Sequence, residues 1–149
     1  MTAPILIMPE SDPAIDESDF IHFIESGARR LTPRQVQQLV SDLPDLTPEF
    51  TKMRDSAYPG TERQLHLLAL LVEAVWTDRY RDMSYGAALE AAFALSYFHR
   101  AEDLIPDSIE GIGLIDDAAI VATIFARNTP EFEAFARETR TEWPGLELN

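Results

Sequence analysis

The sequence predicts an all-α fold, a compact single-domain bundle of six to seven helices with a central helical hairpin. Three observations support this prediction. Apolar residues recur at helical spacing along most of the chain, Thr-Pro pairs precede several of these segments, and no segment combines strand-like alternation with a hairpin turn. The 149 residues, of which 46% are hydrophobic, are sufficient to bury one core.

Helix starts are marked by Thr-Pro pairs. The threonine oxygen can accept a hydrogen bond from the first helical turn, and the N–H that proline lacks is not needed at the first helical position. Gln35 and Gln64 follow Thr32 and Thr61 by three residues, which is the spacing of a capping box. We therefore expect helices to begin at these threonines. The Thr-Pro pairs lie at residues 32–33, 47–48 and 129–130.

The apolar periodicity predicts two peripheral helices followed by the central hairpin. The first peripheral helix covers about residues 19–30, and the second follows Thr32. Residues 62–81 are apolar most of the way round, so this segment should be central. Ser84 can cap the next helix, whose alanines would let the backbone of residues 62–81 come close. These alanines are Ala87, Ala88, Ala91, Ala92 and Ala94.

Two more helices are predicted in the C-terminal part of the chain. Residues 118–126 are apolar on every side, which indicates a short buried helix that starts at the Asp116–Asp117 pair. The last helix carries Phe132 on an apolar face, and Trp143 is expected to anchor the tail that follows. Residues 44–48 are short enough to form an ordinary interhelical turn.

The predicted organisation is a loose N-terminal leader, residues 1–17, and a single helical domain, residues 18–149. The apolar stretch near the start has no positive charge before it and is bounded by prolines, unlike a signal peptide. No apolar run reaches the length of a membrane span, since Glu73 interrupts the longest one. The absence of cysteine fits a cytoplasmic protein.

The charge balance argues against polyanionic partners. The chain has 26 acidic residues against 12 Lys and Arg residues, for a formal net charge of -14. Nucleic-acid binding depends on clustered Lys and Arg that contact phosphates, and an anionic membrane surface would repel such a chain. We therefore expect no nucleic-acid partner and no membrane span, whereas an unknown protein partner or self-association as a dimer remains open.

One segment, about residues 92–126, has a distinctive pattern. Asp103-Leu104-Ile105-Pro106-Asp107 is followed by Gly113 and by Leu114-Ile115-Asp116-Asp117-Ala118, with Tyr97 ahead of the turn. This pattern resembles the YkvA-like family of uncharacterised proteins. Arg100, Ala101 and Glu102 depart from the family pattern, as does Glu110, where the family usually has proline. The resemblance implies a helical module and no particular reaction.

The aspartates of this segment support two interpretations. Asp103, Asp107, Asp116 and Asp117 would form a site for a hard cation such as Mg, Mn or Ca if the turn brought their carboxylates together, with His99 as a further ligand or proton-transfer group. The alternative is structural, with Asp116 capping the helix that follows and Asp107 closing the turn. The spacing matches neither an EF-hand loop nor a helical zinc motif, which favours capping.

The sequence favours a non-enzymatic role in protein interaction or as an accessory protein. It contains no phosphate-binding glycine loop, nucleophile elbow or paired-histidine motif, and no recognisable set of nucleophile, base and oxyanion donors. His22 and His66 stand alone on helical patterns and are interpreted as packed or surface residues. No catalytic residue and no cofactor are therefore predicted. The alternative is a divalent-cation-binding protein or a metal-dependent hydrolase that uses the four aspartates.

Overall fold

The computed structural model describes residues 17–54, 60–104 and 110–144, with side chains placed for residues 18–54, 60–99 and 118–144. These ranges contain six α-helices, a 3₁₀ helix at Thr47–Met53 that follows the second of them directly, and no strand. The predicted all-α fold is confirmed. The helices are α1 (Glu17–Arg29), α2 (Pro33–Leu46), α3 (Gly60–Trp76), α4 (Tyr85–Leu104), α5 (Glu110–Arg127) and α6 (Thr129–Glu138).

The helices share one apolar core, to which all six α-helices and the 3₁₀ helix contribute buried side chains. Helices α3 and α4 pack against each other more extensively than any other pair, as the predicted central hairpin requires. Phe50 and Phe98 meet edge to face with ring centroids 5.4 Å apart, and Phe125 meets Phe132 at 5.2 Å. These aromatic pairs connect the 3₁₀ helix to α4 and α5 to α6.

Two predicted helix caps are confirmed. Thr32 Oγ1 accepts a hydrogen bond from the amide of Gln35 at 3.1 Å, and Gln35 Oε1 accepts one from the amide of Thr32 at 2.9 Å, which completes the capping box of α2. Ser84 Oγ accepts a hydrogen bond from the amide of Ala87 at 3.2 Å at the start of α4. Glu131 of α6 reinforces this cap, because its carboxylate accepts hydrogen bonds from the amide and hydroxyl of Ser84.

Three other predicted caps are wrong. Thr47 is the first residue of the 3₁₀ helix, whose N-cap residue is Leu46. Helix α3 begins at Gly60, so Thr61 lies inside it. At α6 the N-cap residue is Asn128. The hydroxyl of Thr129 instead donates to the carbonyl oxygen of Phe125, at 2.7 Å, and closes the end of the preceding helix. With only one residue separating α5 from α6, this threonine stabilises the end of one helix and not the start of the next.

Several helix boundaries also differ from the prediction. Pro44 lies inside α2 and the 3₁₀ helix follows without a break, so residues 44–48 do not form an interhelical turn. Since α2 ends two residues after Pro44, the hydrogen bond that proline cannot donate removes little of the helix. Helix α3 ends at Trp76 and not at residue 81. Helix α5 begins at Glu110, so Asp116 and Asp117 do not start it.

The remaining predictions concern the ends of the chain and the membrane. The predicted leader, residues 1–17, lies outside the described residues except for Glu17, where α1 begins. Trp143 is partly buried against the core, and its ring centroid lies 5.7 Å from that of Phe125, which agrees with its predicted anchoring role. Within the described ranges no helix is both long enough and apolar enough to cross a membrane.

Candidate functional site

The four aspartates of the predicted metal site fall largely outside the described residues. Asp107 lies in residues 105–109, of which nothing is described, and the side chains of Asp103, Asp116 and Asp117 are likewise not described. The backbone places Asp103 in the last turn of α4 and the other two well inside α5. Asp116 therefore cannot be the N-cap residue that the capping interpretation required. The cation site itself stays a prediction.

His99, the further ligand considered for that site, contacts a different residue. Its Nε2 lies 3.5 Å from Oδ2 of Asp42 on α2, and each of the two side chains is about one third exposed. Where side chains are described, no group of three or more His, Asp or Glu residues is arranged to hold a metal ion. His99 is thus one half of a contact between α4 and α2.

The other two histidines are packed or surface residues, as interpreted from the sequence. Nε2 of His22 lies 3.4 Å from Oγ of Ser26, one turn further along α1. The His66 ring meets Phe50 edge to face, with centroids 4.9 Å apart. Neither histidine belongs to a set of groups, among the described side chains, that would support proton transfer to a ligand.

A polar cluster joins α1, α4 and α5 and is formed by Glu25, Glu90, Arg127 and Asn128. Glu90 is only 8% exposed. Arg127 donates from Nε and Nη2 to its two carboxylate oxygens, at 3.1 and 2.8 Å, and Asn128 Nδ2 donates to Oε1 at 2.9 Å. Nη2 of Arg127 also donates to Glu25 at 2.9 Å. Both oxygens of the buried carboxylate are therefore satisfied.

The electrostatics of the polar cluster indicate a structural role. The hydrogen bonds from Arg127 to Glu90, with a further contribution from Glu25, raise the pKa of Arg127 above its ordinary value although burial opposes this. A buried carboxylate with both oxygens occupied by a bidentate guanidinium is neither a free base nor a free ligand. The polar cluster therefore holds three helices together and leaves no group for chemistry.

A second ion pair connects the 3₁₀ helix region to α3. Arg54 donates from Nε and Nη2 to the two carboxylate oxygens of Glu62, at 3.0 and 2.6 Å. The hydrogen bonds from Arg54 lower the pKa of Glu62 below its ordinary value, although burial acts in the opposite direction. This pair, like the polar cluster, is committed to holding elements of the fold together.

One described surface groove is too small for a typical ligand. It has a volume of about 170 Å³, lies between α3 and the segment after α6, and is lined by Leu67, Leu70, Arg63, Thr141, Glu142 and Pro144 among others. Ligand pockets usually measure about 300–1,000 Å³. Arg63 is also occupied, because Nη2 donates to Glu142 at 3.2 Å. This groove therefore does not support a small-molecule site.

Helices α1 and α4 form an aromatic patch at the surface. The Phe23 ring on α1 meets Phe93 and Tyr97 on α4 edge to face, with centroids 5.7 and 6.2 Å apart. Phe93 is buried and Tyr97 partly buried, whereas Phe23 is 44% exposed. The patch therefore presents one exposed ring that is supported by two others, whereas most single exposed apolar residues lack such support.

Gly27 allows this aromatic patch to form. A Cβ atom at this position would lie 2.3 Å from Cε1 of Phe93, far inside van der Waals contact. The missing side chain therefore lets α1 approach α4 closely enough for Phe23 to reach both Phe93 and Tyr97. Any side chain at this position must displace the Phe93 ring, so the geometry of the patch depends on Gly27.

Three arginines follow the aromatic patch along the chain, where α1 ends and α2 begins. Arg29, Arg30 and Arg34 are exposed, and the described residues provide none of them with an ion pair or a side-chain hydrogen bond. The amide of Arg30 donates to the carbonyl of Ser26 at 3.2 Å, so Arg30 continues the last turn of α1. We call Phe23, Tyr97 and these three arginines together the aromatic-arginine surface.

Sequence reasoning missed the aromatic-arginine surface. The buried face of α1 carries Ile24 and Ala28, and Phe23 lies on the flank of that face. The sequence alone does not show that α4 supplies two more rings there. The signal that could have revealed the surface was the run of three arginines within residues 29–34, in a chain whose charge is otherwise strongly negative.

Comparison with known proteins identifies a family of unknown function. Residues 87–123 match the family described as Protein of unknown function (DUF1232). This short segment, from the first turn of α4 into α5, overlaps the segment in which the sequence resembles the YkvA-like family, and it confirms that resemblance. No curated protein and no solved structure gave a significant match. The family description assigns no activity to the segment.

Proposed function

We propose that this chain is a non-enzymatic helical module that binds another protein through the aromatic-arginine surface. The observation that carries the proposal is the exposed ring of Phe23, which contacts two further rings. It lies on the same side of α1 as Arg30, which forms no ion pair with any described side chain. Aromatic residues and arginine are enriched at protein interfaces, where they contribute most of the binding energy. A cytoplasmic location is part of the proposal, because the chain contains no cysteine.

The geometry of the patch suits an anchor for a partner. Phe23 is held by contacts to two neighbouring rings, so its side chain loses little conformational freedom when a partner covers it. Burial of its exposed part would contribute about 1 kcal/mol, and edge-to-face contacts to a partner's ring would add to this. The side chains of the polar cluster, in contrast, already form hydrogen bonds with one another and are not available to a partner.

The proposal is tested by recovering a partner with the purified chain and with two variants. Phe23→Ser removes the anchor, and Tyr85→Ser is the matched control, since Tyr85 is an exposed aromatic residue at the start of α4. A protein recovered from cells of the source organism is then purified, and its affinity is measured by calorimetry. We expect the Tyr85 variant to bind as the unaltered chain does and the Phe23 variant to bind at least about tenfold more weakly. Equal binding by both variants would contradict the proposal.

A further inference from the structure

The arginines beside Phe23 differ from most of the other described cations. Acidic residues outnumber basic ones 26 to 12, so a cation in this chain readily finds a carboxylate. Six cations do so within the described side chains, namely Lys52, Arg54, Arg63, Arg79, Arg81 and Arg127. Arg29, Arg30 and Arg34 form no such pair there, although they lie within six positions of one another. Their positive charge is concentrated and unneutralised by those side chains.

Arg30 and the aromatic anchor share one side of α1. Phe23 and Arg30 are seven residues apart, so they point in nearly the same direction with a separation of about 10 Å along the helix axis. Ile24 is the residue of α1 that faces the core, and Phe23 lies next to it on the side toward α4, where it contacts the rings of that helix. An extended or helical segment of a partner is long enough to contact both residues at once.

The start of α2 adds to the positive potential. Arg34 occupies the first turn of this helix, where acidic residues are favoured because the helix dipole is positive, and no acidic residue is present in that turn. The charge here thus reinforces the dipole instead of compensating for it. A carboxylate brought by a partner would be stabilised by both.

We infer, on the basis of the proposed function, that the partner presents an acidic segment with an apolar residue. This segment places its carboxylates on Arg30 and Arg34 and its apolar side chain on Phe23. The charge of the surface disfavours a second copy of the chain as occupant. In a two-fold dimer the same patch contacts itself, so arginines would face arginines. The net charge of -14 disfavours nucleic acid and anionic membranes. These partners carry negative charge over an extended surface, so they would also be repelled by the acidic remainder of the protein.

The inference is tested with a defined probe by fluorescence anisotropy. The probe is a fluorescein-labelled peptide of about twelve residues that alternates Glu with Leu and Phe, and the control peptide has Lys in place of every Glu. We expect the Glu peptide to bind the full chain at ~50 mM NaCl and to bind more weakly at ~500 mM NaCl. The Lys peptide is repelled by the arginines, so any binding of it to the acidic remainder of the chain should not weaken when Arg30 and Arg34 are changed to serine.

Two double variants with the same change in net charge locate the binding. Arg30→Ser with Arg34→Ser should weaken binding of the Glu peptide about fivefold or more. Arg137→Ser with Arg140→Asn alters exposed arginines of the α6 region, and asparagine suits the left-handed backbone of Arg140, with φ of 59°. This control should leave the affinity unchanged. Equal effects of the two variants, or no binding of the Glu peptide, would overturn the inference.

Two further measurements separate this inference from the proposed function and from membrane binding. A recovered protein partner whose binding depends on Phe23 but not on Arg30 and Arg34 would leave the proposed function intact and overturn the acidic-segment inference. Vesicles of phosphatidylcholine with phosphatidylglycerol serve as the membrane probe. We expect no sedimentation of the chain with them, and arginine-dependent sedimentation would also overturn the inference.

Discussion

Arg127 and Arg30 show how differently this fold treats the same side chain. Arg127, with a side chain 28% exposed, is held between Glu25 and Glu90, and its pKa is raised by those contacts. Arg30 is exposed at the end of α1 and has no such partner among the described residues. The first arginine joins three helices, whereas the second adds nothing of this kind to the fold. An arginine that is held by carboxylates contributes to stability, whereas an exposed arginine without such a partner is available for other contacts.

The aromatic residues of the two regions follow the same division. In the core, rings such as Phe125 and Phe132 are fully buried against each other. On the aromatic-arginine surface Phe23 contacts Phe93 and Tyr97 but keeps nearly half of its area in water. The comparison therefore predicts large stability losses from changes in the polar cluster and the core, and small ones from changes on the aromatic-arginine surface.

The largest effect is expected for Arg127→Met. This substitution leaves Glu90 buried without its bidentate partner, and such an uncompensated charge costs about 3–5 kcal/mol in free energy of unfolding. Urea unfolding at neutral pH measures the loss. The matched control is Arg137→Met on α6, where the arginine is exposed and the change should stay within about 0.5 kcal/mol. Similar losses in both variants would remove the contrast on which the comparison depends.

A smaller effect is expected at Gly27, where the two regions meet. In Gly27→Ala the new Cβ collides with the ring of Phe93, and overpacking of this kind costs about 1–3 kcal/mol, which exceeds the gain in helix propensity of about 1 kcal/mol. Gly86→Ala is the control, because a Cβ at Gly86 has open space and should not destabilise the protein. Thermal unfolding followed by circular dichroism compares the two. A Gly27 variant as stable as the Gly86 variant would show that Phe93 moves aside freely.

Acid should weaken the contribution of the Arg54–Glu62 pair. The pKa of Glu62 is lowered in the folded protein, so the stabilisation is present above the unfolded pKa of about 4.5 and is lost as the pH falls through the folded value. Arg54→Gln should therefore cost about 1 kcal/mol near pH 7, a modest value because Arg54 is 63% exposed, and progressively less below pH ~4.5. Urea unfolding of both proteins from neutral to acid pH measures this. A difference that grows in acid would contradict the assignment.

The fold was largely predictable from the sequence because its signals are local. The capping box of Thr32 and Gln35 spans three residues, and the apolar periodicity of α1 and α2 lies within single helices. Boundaries were less predictable where two signals compete. The hydroxyl of Thr129 closes α5 although its proline neighbour marks the start of α6, and α5 extends to Glu110, beyond the aspartates taken as its start.

The aromatic-arginine surface and the polar cluster were not predictable because both depend on residues far apart in the chain. Glu25 and Arg127 are separated by 102 positions, and Phe23 meets rings of a helix that begins at Tyr85. No local pattern specifies which helix faces which. The aspartates drew attention in the sequence because they are close together, yet their side chains are outside the described residues and the cation site stays a prediction.

The central claim, that the aromatic-arginine surface is maintained for binding and not for stability, is tested most directly by measuring stability and affinity on one variant. Phe23→Ser combined with Arg30→Ser should unfold within about 2 kcal/mol of the unaltered chain, because Arg30 is exposed and Phe23 is only partly buried. Its affinity for the Glu peptide, measured on the same sample, should fall more than about tenfold. A loss of about 3 kcal/mol or more in free energy of unfolding, with the peptide affinity unchanged, would contradict the account.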